Sequence, residues 1–228
     1  MCGRATIIDP DGVEQIAVEF HRKFIPTEWK RPRYNIRPTQ ELPVVRLADG
    51  ELELTLLRWG LIPSWSREPE PKFPTFNARA ETLAEKPTFR GPFKNRRCLI
   101  LIDGFYEWPK KPSKDRRPRH IRFRDRRPMA VAGLWDRWTD PATGIVVDSC
   151  TIVTTEANEL LAGVPHDRMP VILDETAQQV WLDSSVVDRQ RLAALLTPRR
   201  ADDMELVMTS EQFVNYGFDD PRCIEPVA

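Results

Sequence analysis

Few of the residues that build metal sites are present. The 228-residue chain has three histidines and four cysteines. Cys2, Cys98, Cys150 and Cys223 lie far apart, with no C-x-x-C and no paired histidine spacing. That argues against a zinc site, and no cofactor is expected. No apolar run approaches the roughly 20 residues that span a membrane. The N-terminus lacks the charged-then-apolar pattern of a secretory signal. A cytoplasmic chain, off the membrane, is expected. Linkers, repeats and low-complexity tracts are also missing, so residues 1–228 read as one domain, long enough to bury a real core. The formal net charge is zero, which weighs slightly against a nucleic-acid partner. Lysine is scarce: eight of the thirty-four cationic side chains. The rest are arginine, the better group for bidentate phosphate contacts. Cations cluster at Arg31, Arg33 and Arg37, and again at Arg90, Lys94, Arg96 and Arg97. A third cluster, Lys110–Arg119, is broken by prolines and reads as a solvated loop.

What is present is mostly strand. Val13, Ile16, Ala17, Phe20 and Phe24 fall at helical spacing behind Asp11-Gly12, and Pro26 and Pro32 close that helix. Val44–Leu47, Asp49-Gly50 and the alternating Leu52, Leu54 and Leu56 give a two-residue hairpin. Residues 60–95 hold many prolines and little periodicity, which predicts a long irregular segment. Further strands are expected at Cys98–Ile102, around Ile121 and Phe123, at Met129–Trp135, Val146–Thr154, Met169–Leu173 and Glu205–Met208. A short helix is expected at Glu156–Leu161, and two more behind Asp174 and Ser185 as N-caps. The class is α+β, with a mainly antiparallel β core and short flanking helices.

Cys2 carries the chemistry. Loss of an initiator Met before a small side chain would leave Cys2 with a thiol and a free α-amine. The amine titrates near 7.7–8.0, so part of it is neutral and nucleophilic at pH 7. A free thiol titrates near 8.5, and neighbouring cations lower it. Such a 1,2-aminothiol condenses with an aldehyde and closes a thiazolidine ring. Glu107 ends a buried strand among Phe105, Tyr106 and Trp108, where a desolvated carboxyl suits proton transfer. A structural Glu paired with an arginine is the alternative. His166 sits in a Pro-framed turn between a helix and a strand, and a structural role is open for it too. Asn77-Ala78-Arg79-Ala80-Glu81 is a compact polar cluster. Cys2, Glu107 and His166 together make a nucleophile with two proton-transfer partners.

Seven motifs appear in order along almost the whole chain. They are Met1-Cys2-Gly3-Arg4, Arg33-Tyr34-Asn35-Ile36-Arg37-Pro38, Arg58-Trp59-Gly60-Leu61-Ile62-Pro63-Ser64-Trp65, Asn77-Ala78-Arg79-Ala80-Glu81-Thr82, Asp103-Gly104-Phe105-Tyr106-Glu107-Trp108, His166-Asp167-Arg168-Met169-Pro170 and Asp220-Pro221-Arg222-Cys223-Ile224-Glu225-Pro226. In these the chain resembles the SOS-response-associated peptidase (SRAP) family. The resemblance implies a barrel-like β fold and a monomer that binds single-stranded DNA and crosslinks to abasic sites, nucleoid-associated in a bacterium. It implies Cys2 as the crosslinking residue and as the nucleophile that removes its own leader. Asn77 would hold the sugar and the Cys2 terminus, Glu107 would assist ring closure, and His166 would move protons during imine chemistry and reversal. Arg4, Arg79 and Arg168 would bind phosphates, while Trp65 and Pro38 would stack on and wedge the strand. Ala5 and Cys223 depart from the family pattern.

Two other readings stay open at this level. An N-terminal-nucleophile amidohydrolase would use Cys2 with an oxyanion hole near Asn77, but leaves the Arg and Trp motifs unexplained. A non-catalytic single-strand-binding module explains those motifs but not Cys2 or Glu107.

Overall fold

The computed structural model describes residues 2–19, 30–109, 114–164, 167–215 and 217–227. The expected helix residues Phe20 and Phe24, the start of the Lys110–Arg119 stretch, and Pro165 and His166 lie outside them. The strands are β1 (Ala5–Ile7), β2 (Arg33–Ile36), β3 (Glu41–Ala48), β4 (Glu51–Trp59), β5 (Asn77–Arg79), β6 (Arg97–Ile102), β7 (Gly104–Glu107), β8 (Arg119–Phe123), β9 (Met129–Thr139), β10 (Val146–Glu156), β11 (Arg168–Pro170) and β12 (Met204–Met208). The helices are short: α1 (Pro10–Val18), α2 (Pro87–Asn95), α3 (Glu159–Ala162), α4 (Glu175–Leu182), α5 (Arg189–Ala193) and α6 (Glu211–Asn215).

Five strands close on themselves. β10 pairs with β4, β4 with β3, β3 with β6, β6 with β9, and β9 returns to β10. Only the β4–β10 seam of this ring is parallel. The hairpin that starts it turns on Asp49 and Gly50, with φ of 51° and 83°. Positive φ at both central residues is the twist-matched turn that this dipeptide favours. Beyond the ring, the last part of β10 carries β5 on one side and β11 on the other. A second, wholly antiparallel sheet runs β12-β8-β7-β1-β2. One continuous apolar core joins the two, with Val44, Leu99, Val131 and Ile152 from the ring and Ala5, Ile36, Phe105 and Ile121 from the second sheet.

Four expectations change. The segment 60–95 is not irregular throughout, because residues 87–95 form α2. Pro87 stands at its first turn, where a missing N–H costs nothing, so proline starts this helix. The helix after residue 183 is capped by Asp188, which accepts from Gln190 and Arg191 N–H, not by Ser185. The first helix likewise starts earlier, on Asp9, which accepts from the Gly12 N–H at 3.0 Å. Glu156 still belongs to β10, and the short helix begins at Glu159.

Beneath β1 lies a buried polar knot. The Thr6 hydroxyl donates to Asp103 Oδ1 at 2.7 Å. His120 Nε2 lies 3.1 Å from the same hydroxyl. Since that hydroxyl spends its proton on Asp103, His120 donates from Nε2. Asp103 Oδ2 accepts the Ile8 and Asp9 N–H groups. A Cβ on Gly104 would lie 2.3 Å from His120 Nε2, so Gly104→Ala should cost about 1–3 kcal/mol by overpacking, read by chemical denaturation.

Burial, helped by the charge of Arg126, presses the His120 imidazole down to about 3. An unfolded imidazole takes its proton near 6.5. Below that pH the unfolded chain therefore binds more protons, and stability falls as pH drops from about 6.5 toward 3. The slope approaches about 1.4 kcal/mol per pH unit. Burial pushes the Asp103 carboxyl the other way, up, which works against this slope. Urea titrations at pH 7 and pH 5 should show the loss in the native chain and not in His120→Phe.

Candidate DNA-reactive site

The first residues of the chain run along the edge of the second sheet. β1 lies between β2 and β7, with Ala5 opposite both Ile36 and Phe105. The Tyr106 N–H donates to the Arg4 carbonyl at 3.0 Å. Continuing that register sets Glu107 beside Gly3, one residue from Cys2. Asn77 comes from β5, whose pairing to β10 holds it opposite Ile152. Its Nδ2 donates to the Cys2 carbonyl at 2.7 Å. Its Oδ1 is buried without a partner among the described residues. Cys2, Asn77 and Glu107, read separately from distant motifs, thus converge.

Their electrostatics differ from the sequence expectation in one respect. Cys2 is fully buried, and its Sγ leans on the Arg4 carbonyl at 3.7 Å. Burial first, and the Glu107 carboxylate second, push the thiol far above its ordinary range. Lowering by neighbouring cations is not what this environment gives. The thiol is held neutral, and a base must take its proton when it reacts. Glu107 is 2 % exposed and lies within electrostatic reach of the thiol.

The cationic and aromatic residues divide. Arg4 is half-buried and donates Nη1 to the Gly3 carbonyl at 2.9 Å. Arg79 is exposed at the end of β5. Trp65 is 64 % exposed on the loop after β4, and Pro38 is half-buried in the turn after β2. Phe73, 80 % exposed on the same loop as Trp65, is a second bare aromatic. Arg168 stands elsewhere. It is 8 % exposed, grips both Glu81 oxygens at 2.6 and 2.9 Å, and donates to the Thr154 carbonyl at 2.5 Å. This bidentate pair, between buried Arg168 and exposed Glu81, clamps β11 to the turn after β5, and it leaves Arg168 poorly placed as a phosphate ligand. His166 lies outside the described residues. The clamp nevertheless fixes the strand that begins two residues after it. Among the described residues no cluster of His, Cys, Asp and Glu could hold a metal, and no helix is long and apolar enough to cross a membrane.

Residues 1–216 match the SOS response associated peptidase (SRAP) family, and the chain belongs to it. It is 38 % identical over 227 residues to the abasic site processing protein YoqW of Bacillus subtilis, covering 99 % of each chain. It is 33 % identical to the abasic site processing protein HMCES of Xenopus tropicalis, over 87 % of this chain and 70 % of that one. A crystal structure of a protein from Bacteroides thetaiotaomicron superposes with a TM-score of 0.86 at 26 % identity, covering all of both chains.

All four cysteines are buried, and burial raises each thiol. An aromatic disulfide reagent at pH 8 should therefore titrate well under one thiol per native chain within minutes, and all four in denaturant. Immediate reaction of one thiol, mapped to Cys2, would contradict the burial.

Proposed function

We propose that this chain captures abasic sites in single-stranded DNA as a covalent thiazolidine at Cys2. The observation that carries the reading is the Asn77 hydrogen bond to the Cys2 carbonyl, which fixes the aminothiol beside the buried Glu107. Relatives named abasic site processing proteins support it.

Hydrolysis of the Met1–Cys2 peptide bond frees the α-amine. Either Cys2 acting as the chain's own peptidase nucleophile or an aminopeptidase does this. The amine adds to C1′ of the open-chain sugar aldehyde to give a carbinolamine. Loss of water gives an imine. The thiol sulfur then adds to the imine carbon, and its proton ends on the nitrogen. Water is the one by-product. An imine left at this carbon promotes β-elimination and strand breakage, a lyase-like side reaction, and thiol capture forestalls it. Glu107 is the group to protonate the departing hydroxyl and to take the thiol proton. Asn77 Oδ1, buried and unpartnered, suits a sugar hydroxyl or the freed amine. His166 is assigned to imine handling and reversal on the family resemblance. Arg4 and Arg79 would contact flanking phosphates. Trp65, and Phe73 with it, would stack bases at about 1–3 kcal/mol each. Pro38 would wedge the strand. Arg168 acts through Glu81 by holding the β5 side of the pocket.

The test is a time course on abasic single-stranded DNA resolved on a denaturing gel. Cys2→Ala should remove the gel-stable adduct and keep most non-covalent binding. Glu107→Gln should slow adduct formation by about 10²-fold or more, whereas His166→Ala should mainly alter strand cleavage and release. Normal adduct formation by protein whose intact mass retains Met1 would sink the aminothiol mechanism.

A further inference from the structure

Arg37 has no part in the site as described so far, yet the fold sets it beside Arg4. β1 and β2 run antiparallel with Ala5 opposite Ile36. The next pair outward is Arg4 and Arg37. Like charges directly across a ladder repel. Neither guanidinium has a carboxylate partner among the described residues. Arg4 spends Nη1 on the Gly3 carbonyl, and its Nε is buried without a partner.

Arg37 is not free to swing away. Its N–H donates to Gln40 Oε1 at 2.8 Å, and the Gln40 N–H donates to its carbonyl at 3.1 Å. The turn that presents it is bolted to the end of β4 by the Thr39 N–H, which donates to the Trp59 carbonyl at 2.7 Å. Thr39 adopts φ of 78°, a costly conformation for a β-branched residue. On its other side the Arg37 guanidinium packs on Gly217, where a Cβ would come within 3.0 Å of Nη1. Arg4 and Arg37 are both half-buried. The charge of Arg37 is the second cause, after burial, that lowers the Arg4 guanidinium's hold on its proton. Two like charges are thus held together by a strained turn, two residues from Cys2, with no counter-charge.

We infer that Arg4 and Arg37 form a two-pronged subsite for one phosphodiester of the bound strand, next to the captured sugar. The inference rests on the proposed reading of Cys2 as the point of DNA capture. An anion between the two guanidiniums relieves their repulsion, and a phosphodiester has a non-bridging oxygen to offer each of them.

The probe is a single-stranded oligonucleotide carrying a tetrahydrofuran residue, which cannot open to an aldehyde and so binds without crosslinking. Binding is followed across a salt titration for the native chain, Arg37→Gln and Arg37→Lys. Loss of one phosphate contact should flatten the slope of log affinity against log salt by about 0.7 in Arg37→Gln. Arg37→Lys should keep the slope. The thermal midpoint of Arg37→Gln should equal or exceed that of the native chain, because a repulsion has been removed. Replacing the phosphates one at a time by neutral methylphosphonates should reveal one position that weakens the native chain and leaves Arg37→Gln unaffected. An unchanged slope in a folded Arg37→Gln, or no such position, overturns the subsite. So does inorganic phosphate competing as strongly as the oligonucleotide, which would assign the pair to free phosphate. A native chain that forms no adduct with true abasic DNA, while the salt effect persists, refutes the Cys2 chemistry and leaves the subsite standing.

Discussion

Chain ends fray unless something ties them down, and the residue proposed to react, Cys2, stands at position 2. The hydrogen bond from Asn77 to the Cys2 carbonyl is the tie that makes the site possible. It works because β1 is held along its length as well. Asp103 takes the N–H groups of Ile8 and Asp9 and the hydroxyl of Thr6, so the far end of the strand cannot slide. Tyr106 holds the Arg4 carbonyl in the middle. Without that anchoring, the aminothiol would sample many orientations, and the gain from holding reacting groups in place would be lost. Stability and chemistry share the same few contacts here.

The second consequence concerns charge. The formal net charge is zero, so attraction for DNA has to come from local arrangement. Much of the arginine is internally neutralised. Arg46 is paired with Glu53 and Asp148, Arg137 with Asp148, Arg127 and Arg199 with Asp203, and Arg168 with Glu81. Pairing of this kind removes these arginines from use as phosphate ligands. Near the Cys2 end, Arg4, Arg37 and, on the β5 side, Arg79 have no carboxylate partner among the described residues. On the proposed reading, a molecule of zero formal net charge with a small cationic rim would grip a strand at one place.

Much of this was legible in the residues, for identifiable reasons. The Asp49-Gly50 hairpin is a local rule, and the alternation through Leu52, Leu54 and Leu56 fixes its register. Cys2, Asn77 and Glu107 were each conspicuous as polar groups a plain core does not need. What the sequence could not show was long-range pairing. Nothing local says that β10 closes the ring against β4 in parallel, or that β5 brings Asn77 to the Cys2 carbonyl. Proline misled in the segment 60–95, because Pro87 at a helix start looks like any other breaker. Arg168 misled for a different reason. Its partner Glu81 lies 87 residues away, so its neutralisation is invisible until the fold is known. Nothing local marks His120 for the buried knot with Thr6 and Asp103.

The burial of the Cys2 thiol then becomes intelligible. A low-pKa exposed thiolate would be quick, but also open to oxidation and to stray electrophiles. Here the thiol is kept neutral by burial and by the neighbouring Glu107 carboxylate. The same carboxylate that helps hold the proton on sulfur is within electrostatic reach to remove it. On the proposed mechanism Glu107 would take a proton as the amine adds, give it to the departing hydroxyl, and be a carboxylate again to receive the thiol's proton as sulfur attacks. On this reading, activation waits for the imine. The thiol becomes nucleophilic only after the amine has found an aldehyde, which ties its reactivity to the presence of the right sugar.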